Sequence, residues 1–212
     1  KDGKFVEATW DEAYDLIAER FGSYKPDEMA CLSSARTSNE ENYLMQKFAR
    51  VALKTPHVDH CARLCHSSTV AGLAAVFGSG AMTNSIRDLV ESKCIFILGS
   101  NTFEQHPLIA RSVVRARTNG AKVIVADPRY TPTARQADLY MPFVSGTDVA
   151  ILNGLMQEIV RNGWEDKEFI AKRTKDYEKL KEVVMKDVYS LENVMKVSGI
   201  PVESLRTAAE WI

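Results

Sequence analysis

The chain has 212 residues, 45% of them hydrophobic, with 11 Gly and 7 Pro, which fits a compact protein of one or two domains and not a disordered or fibrous one. Lys and Arg number 27 against 28 Asp and Glu, a net charge of −1. No basic run tracks a phosphate backbone, so nucleic acid is not an expected partner. The longest apolar stretches, such as Cys94 to Leu98 and Val123 to Ala126, fall far short of the roughly 18 to 20 residues that span a bilayer, so no direct membrane insertion is expected. The chain opens on Lys1-Asp2-Gly3-Lys4, without a starting Met or a signal or transit peptide, and reads as a piece of something longer.

In chain order, apolar residues recur at helical spacing from Trp10 to Phe21, and Thr9 with Glu12 supplies a capping box at the start. Met29 to Leu32 predicts a strand, Ser33 to Ser38 a polar loop, and Asn39 to Lys54 a helix. After Thr55-Pro56-His57 the run from Val58 to Cys61 fits a second short strand, and Ser67 to Phe77 a helix rich in small residues. Cys94 to Leu98 then predicts a strand ending in Gly99-Ser100-Asn101, His106 to Thr118 a helix, and Ala121 to Ala126 a strand ending in Asp127-Pro128-Arg129. This is a βαβ order. Leu139 to Val144 ends in Ser145-Gly146-Thr147-Asp148, with Asp148 expected to cap a helix from Val149 to Arg161, and short helices follow from Asp166 to Ile212. The expected fold is α/β, a Rossmann-like parallel sheet with helices on both faces, preceded by part of a second α/β domain. Ligands of such sheets sit beyond the carboxyl ends of the strands, where three polar strand ends would converge.

Four cysteines, Cys31, Cys61, Cys65 and Cys94, could form two disulfides in an exported protein. Cys31 and Cys94 instead lie in short apolar runs where free Cys acts as a small hydrophobe. Reduced thiols and a cytoplasmic location are therefore expected. His60, Cys61, Cys65 and His66 fall within seven residues, and three readings fit them. They are packing and surface residues, or a structural zinc site, or a lone Cys65 thiolate that binds a cofactor-borne metal with His66 beside it to move protons. The C-x-x-x-C-H spacing, with no second pair, does not match the closed tetrahedral sets that zinc prefers. Gly99 to Thr102, Asp127 to Arg129 and Ser145 to Asp148 are each no more than turn and cap chemistry alone. Together at one sheet edge they would offer amides, an Arg and carboxylates to a nucleotide's phosphates, ribose and base. No G-x-G-x-x-G follows the first strand of the βαβ unit, which disfavours an ordinary dinucleotide fold.

The stretches SARTSNEENYLMQKFAR (34–50), VDHCARLCHSSTVAGL (58–73), GSNTFEQHP (99–107), NGAKVIVADPR (119–129) and SGTDVAILN (145–153) resemble the formate dehydrogenase branch of the molybdopterin oxidoreductases. The likeness runs over nearly the whole chain. The opening, KDGKFVEATWDEAYDLIA, resembles the point just after an N-terminal iron-sulfur domain whose four Cys ligands are missing here, so the chain looks like an internal fragment. The resemblance implies two molybdopterin guanine dinucleotides holding molybdenum or tungsten, a four-iron four-sulfur cluster in the missing domain, formate and carbon dioxide as substrate and product, and an iron-sulfur or flavin electron-transfer subunit. It implies that residues 1–60 are part of an α/β cofactor-binding domain and 61–212 a Rossmann-like domain for the guanine dinucleotide cofactor.

By the same resemblance Cys65 takes the place of the metal-ligating Cys, or selenocysteine in some relatives, and His66 the adjacent proton-handling position. Arg36 matches an Arg near the cofactor, and Asn101, Glu104, Asp127, Arg129, Gly146, Thr147 and Asp148 match contacts to its guanosine end. In periplasmic nitrate reductases the residue after the ligand is typically Met, so His66 favours formate chemistry. Formylmethanofuran dehydrogenases, which also carry a Cys-His pair, are the runner-up, and a non-catalytic nucleotide-binding scaffold is a further alternative. The family's substrate-orienting Arg falls downstream of Ile212, so the fragment alone is expected to be inactive.

Overall fold

A computed structural model describes residues 3–212. The chain divides into two compact units, Lys1–Thr83 and Asn84–Ile212. Residues 61–83 fall in the first unit.

In the first unit, helix α1 (Trp10–Ser23) starts at the expected capping box, with the Glu12 amide donating to Thr9 Oγ1 at 3.2 Å and the Thr9 amide donating to Glu12 Oε2 at 2.7 Å. That backbone bond, with the Thr9 hydroxyl, holds the Glu12 carboxyl below its ordinary range. Strand β1 (Cys31–Ser33) leads through the polar loop into α2 (Asn39–Lys47), which opens on a second capping box, Ser38 with Glu41. The helical run expected to reach Lys54 changes at Phe48–Ala52 into a wider π turn. Strand β2 (Val58–His60) pairs parallel with β1, Cys31 opposite Val58 and Ser33 opposite His60. Two helices follow, α3 (Cys61–Cys65), which the sequence did not suggest, and α4 (Ser67–Phe77), ended by Gly78 at φ 80°.

The second unit begins with α5 (Asp88–Glu91) and β3 (Cys94–Leu98). The helix expected from His106 to Thr118 is present, and a short helix not expected from the sequence precedes it. Short α6 (Thr102–Gln105) is separated from α7 (Pro107–Thr118) by His106 at φ −140°, and Pro107 is well placed as a first helical residue because it has no amide to leave unpaired. Strand β4 (Lys122–Ala126) and β5 (Leu139–Met141) complete a parallel sheet in the order β3-β4-β5. The last strand stops at Met141 and not at Val144, since Pro142 cannot donate to a ladder and the Val144 amide turns to the Ser198 carbonyl. Helix α8 (Asp148–Asn162) is followed by α9 (Lys167–Arg173), α10 (Tyr177–Val184), α11 (Leu191–Ser198) and α12 (Val202–Trp211).

Alternation along β4 sends Val123 and Val125 to one face and Ile124 and Ala126 to the other. The first pair meets Ile95, Ile97 and the α7 residues Val113 and Ala116. The second meets Met141, Ile151 and Leu155 of α8, Val194 of α11 and Leu205 of α12. Helices cover both faces, as expected, which explains why β4 is a continuous apolar run. Each such buried Val or Ile contributes about 1.5–3 kcal/mol relative to exposure. Gly154 lets α8 approach α11, for a Cβ there would stand 2.8 Å from Val194 Cγ2, a stiff branched side chain with no exposure.

Gly154→Ala should therefore lower the stability of the second unit by about 1–2 kcal/mol, overpacking outweighing the helix propensity gained. A urea unfolding curve followed by Trp211 fluorescence reads the shift, and an unchanged or higher midpoint would contradict the close approach. The cysteines give a second test. Cys61 and Cys65 are exposed, Cys31 is buried, and burial pushes the Cys94 thiol up, so less thiolate is present at a given pH. Iodoacetamide at pH 8 should label Cys61 and Cys65 well before Cys31 and Cys94, as peptide mass spectrometry would record.

Candidate functional site

Because β3, β4 and β5 run parallel with Leu98 opposite Ala126 and Ala126 opposite Met141, all three end at the same edge of the sheet. The polar segments after them leave from that edge. Gly99, at φ 61°, turns the chain out of β3 while its amide donates to the Ala126 carbonyl at 2.9 Å. Asn101 follows and is buried. Its Oδ1 accepts from Thr133 Oγ1 at 3.1 Å and its Nδ2 donates to Glu104 Oε2 at 2.6 Å. Thr133 Oγ1 also accepts the Phe103 amide at 3.1 Å. Thr133 belongs to the β4–β5 connection and was missed by the sequence reading, which offered no signal beyond a threonine in a turn-rich stretch.

Asp127 is buried at the end of β4, where its Oδ1 accepts the Arg129 amide at 2.8 Å. Its carbonyl accepts the Tyr140 hydroxyl at 2.9 Å. Burial pushes the Tyr140 phenol up and the Asp127 charge adds to the effect, so the hydroxyl stays protonated as the donor in that bond. Arg129 is exposed. Gly146, at φ 89°, has open space where a side chain would stand. Asp148 does not cap α8 as expected. It is the first helical residue, Thr147 occupies the cap position, and the Thr147 hydroxyl turns back to the Val144 carbonyl at 2.7 Å. Asp148 still contributes a negative charge in the first turn, where the helix dipole favours one.

In the first unit the loop after β1 and the helix after β2 meet at the carboxyl end of their own small sheet. The Ala35 amide donates to Cys61 Sγ at 3.4 Å, joining the loop that carries exposed Arg36 to the helix that ends in Cys65. The Arg36 amide donates to Ser34 Oγ at 3.1 Å, and Asn42 braces the same loop by donating to the Ser34 carbonyl at 3.1 Å and bonding the Ser33 hydroxyl. A cavity of about 340 Å³ opens beside it, lined by Ser34, Asn42, Gln46, Asp59 and His60 among others. His60 caps α3, its Nδ1 accepting the Ala62 amide at 3.3 Å, so the neutral ring carries its proton on Nε2. Cys65 is the last residue of α3 and is exposed, and His66, also exposed, sits at the break before α4 with φ −126° and ψ 12°.

Among the described residues no group of three or more His, Cys, Asp and Glu stands where it could hold a metal ion. Cys61 is engaged by a backbone amide and His60 by a helix cap, which leaves Cys65 as a soft donor open to an external partner. The candidate residues thus form two groups. Arg36, Cys65 and His66 lie in the first unit, and Asn101, Glu104, Asp127, Arg129, Gly146, Thr147 and Asp148 in the second.

The chain is 56% identical over 210 residues to the F420-dependent formate dehydrogenase 1 subunit alpha of Methanococcus maripaludis, covering 99% of this chain and 31% of that protein. It is 39% identical over 214 residues to formate dehydrogenase H of Escherichia coli, covering 99% of this chain and 30% of that protein. Its fold is similar to acetylene hydratase from Pelobacter acetylenicus, with a TM-score of 0.68 and 27% identity over 98% of this chain and 28% of that one. The chain therefore spans about a third of the length of these relatives. Residues 1–200 match the family model described as molybdopterin oxidoreductase, and the chain belongs to that family.

Proposed function

We propose that this chain is the central part of the catalytic subunit of a formate dehydrogenase that oxidises formate to carbon dioxide on molybdenum or tungsten held by two molybdopterin guanine dinucleotides. The observation that carries the reading is the exposed Cys65 thiol with His66 next to it, in a chain 53–56% identical to three formate dehydrogenase alpha subunits. The residues present fit such a cofactor. A thiolate suits a high-valent metal already held by sulfur, and no protein cluster competes for it among the described residues. The edge of the larger sheet offers an oriented amide at Asn101, a buried carboxylate at Asp127, an exposed guanidinium at Arg129 and a side-chain-free approach at Gly146, which suits the guanosine end. Residues 84–212 carry the residues for the guanine dinucleotide end, and residues up to 83 carry Arg36, Cys65 and His66.

Formate loses two electrons and one hydrogen to become carbon dioxide, and the bound metal cofactor supplies the two-electron chemistry. Cys65 acts as the protein ligand to that metal, since binding keeps a thiol deprotonated. His66 accepts the proton and releases it to solvent, a task for which imidazole is suited near neutral pH. Arg36, a planar cation that cannot lose its proton, neutralises and orients anionic groups at its end of the small sheet. An iron-sulfur cluster outside these residues would pass the electrons to an iron-sulfur or flavin subunit, and F420, on which the relatives' names say they depend, is the acceptor to assay first. Four free cysteines fit a reducing cytoplasm, and no helix among the described residues is long and apolar enough to cross a membrane.

In the full-length subunit, Cys65→Ser should fold but lose nearly all formate oxidation, since a hard oxygen replaces a soft ligand. His66→Gln should keep its metal and turn over about a hundredfold to ten-thousandfold more slowly, the usual cost of removing a general acid or base. Formate-dependent dye reduction beside metal content per subunit reads both. Parental activity in Cys65→Ser would remove the ligand assignment, and nitrate reduction in place of formate oxidation would transfer the chain to a nitrate reductase.

A further inference from the structure

We infer that Thr133 is a positioning residue for the guanosine end of the cofactor, acting through Asn101. The inference rests on the cofactor reading above and adds a residue that touches no ligand itself. Thr133 is 1% exposed and Asn101 7%. Glu104 Oε2, 2.6 Å away, accepts from the Asn101 amide nitrogen, which turns the Asn101 oxygen toward Thr133. The Thr133 hydroxyl donates to that oxygen at 3.1 Å and accepts the Phe103 amide. One Nδ2 proton then remains, held in a set direction at the edge where the three strands end.

The same hydroxyl ties two loops that are far apart in sequence. Asn101 and Phe103 follow β3, while Thr133 lies between β4 and β5 in the connection that begins with Asp127 and Arg129. The hydroxyl therefore ties the loop holding the amide donor to the loop holding the carboxylate and guanidinium. A preorganised pair of loops binds more tightly than two independent ones because the ordering has already occurred. Replacing the hydroxyl by a methyl strands both the Asn101 oxygen and the Phe103 amide away from water, so the pair separates or takes in solvent.

The experiment uses the full-length holoenzyme. The readout is the guanine nucleotide retained per subunit after dilution, counted as GMP released by acid. Thr133→Val should lose the nucleotide about tenfold to a hundredfold faster, the range seen when groups that orient metal ligands are removed. Thr133→Ser, which keeps the hydroxyl, should retain it at the parental rate. If Thr133 acts through Asn101, the double variant with Asn101→Ala should lose nucleotide no faster than Asn101→Ala alone. Additive losses, or a Val variant with parental retention, would overturn the inference. Should Thr133→Val not fold, Thr133→Ala serves in its place, and if neither folds then Thr133 is a folding residue and the inference falls. A parental enzyme that releases no GMP would instead defeat the cofactor reading itself.

Discussion

Parallel pairing of β4 with a neighbour on each side is the constraint from which the candidate site of the second unit follows. Parallel strands share a direction, so three of them in one sheet must all end at the same edge. The segments that carry Asn101, Asp127 and Gly146 are separated in sequence yet all follow strands that end at that edge. What makes the pairing stable is burial on both faces. Val123 and Val125 pack toward α7 while Ile124 and Ala126 pack toward α8, α11 and α12. A polar residue at any of these four positions would put an unpaired group in one core or the other.

Around that edge the polar groups divide into those already committed and those still free to meet a ligand. Thr133, Tyr140 and the Met141 carbonyl are spent on holding loops, by bonds to Asn101, to the Asp127 carbonyl and to the Asp127 amide. Arg129 and Gly146 are exposed and uncommitted in shape. A site for a large anionic cofactor needs both kinds, since a donor that must first be ordered gives part of its binding energy back as lost entropy.

The first unit uses the same logic on a smaller scale. Two short parallel strands bring the Arg36 loop beside the helix that ends in Cys65, and the contact is sealed by the Ala35 amide on Cys61 Sγ. This explains why one cysteine of the pair is engaged and the other free. Spacing alone had disfavoured a zinc site and left a packing pair and a lone ligand open, because neighbouring ligand-type residues say nothing about which way each is turned.

Elements fixed by local chemistry were legible from the sequence. The capping box at Thr9 starts its helix where expected, the helix expected from Ser67 to Phe77 has those bounds, and the apolar runs expected at 94–98 and 121–126 hold strands. These depend on residues within one helical turn or one strand length of each other. The tertiary structure decided what depends on partners distant in the chain. The 139–144 run ends early because Val144 is claimed by Ser198, and residues 61–83 fall in the first unit. Thr133 acquires its role only when the β4–β5 connection folds back against the exit of β3. Periodicity likewise identified the apolar stripe of α1, but Trp10, Tyr14, Ile17 and Phe21 are exposed in this chain. A repeat of apolar residues specifies a helix and a face, whereas what covers that face is a property of the assembled fold.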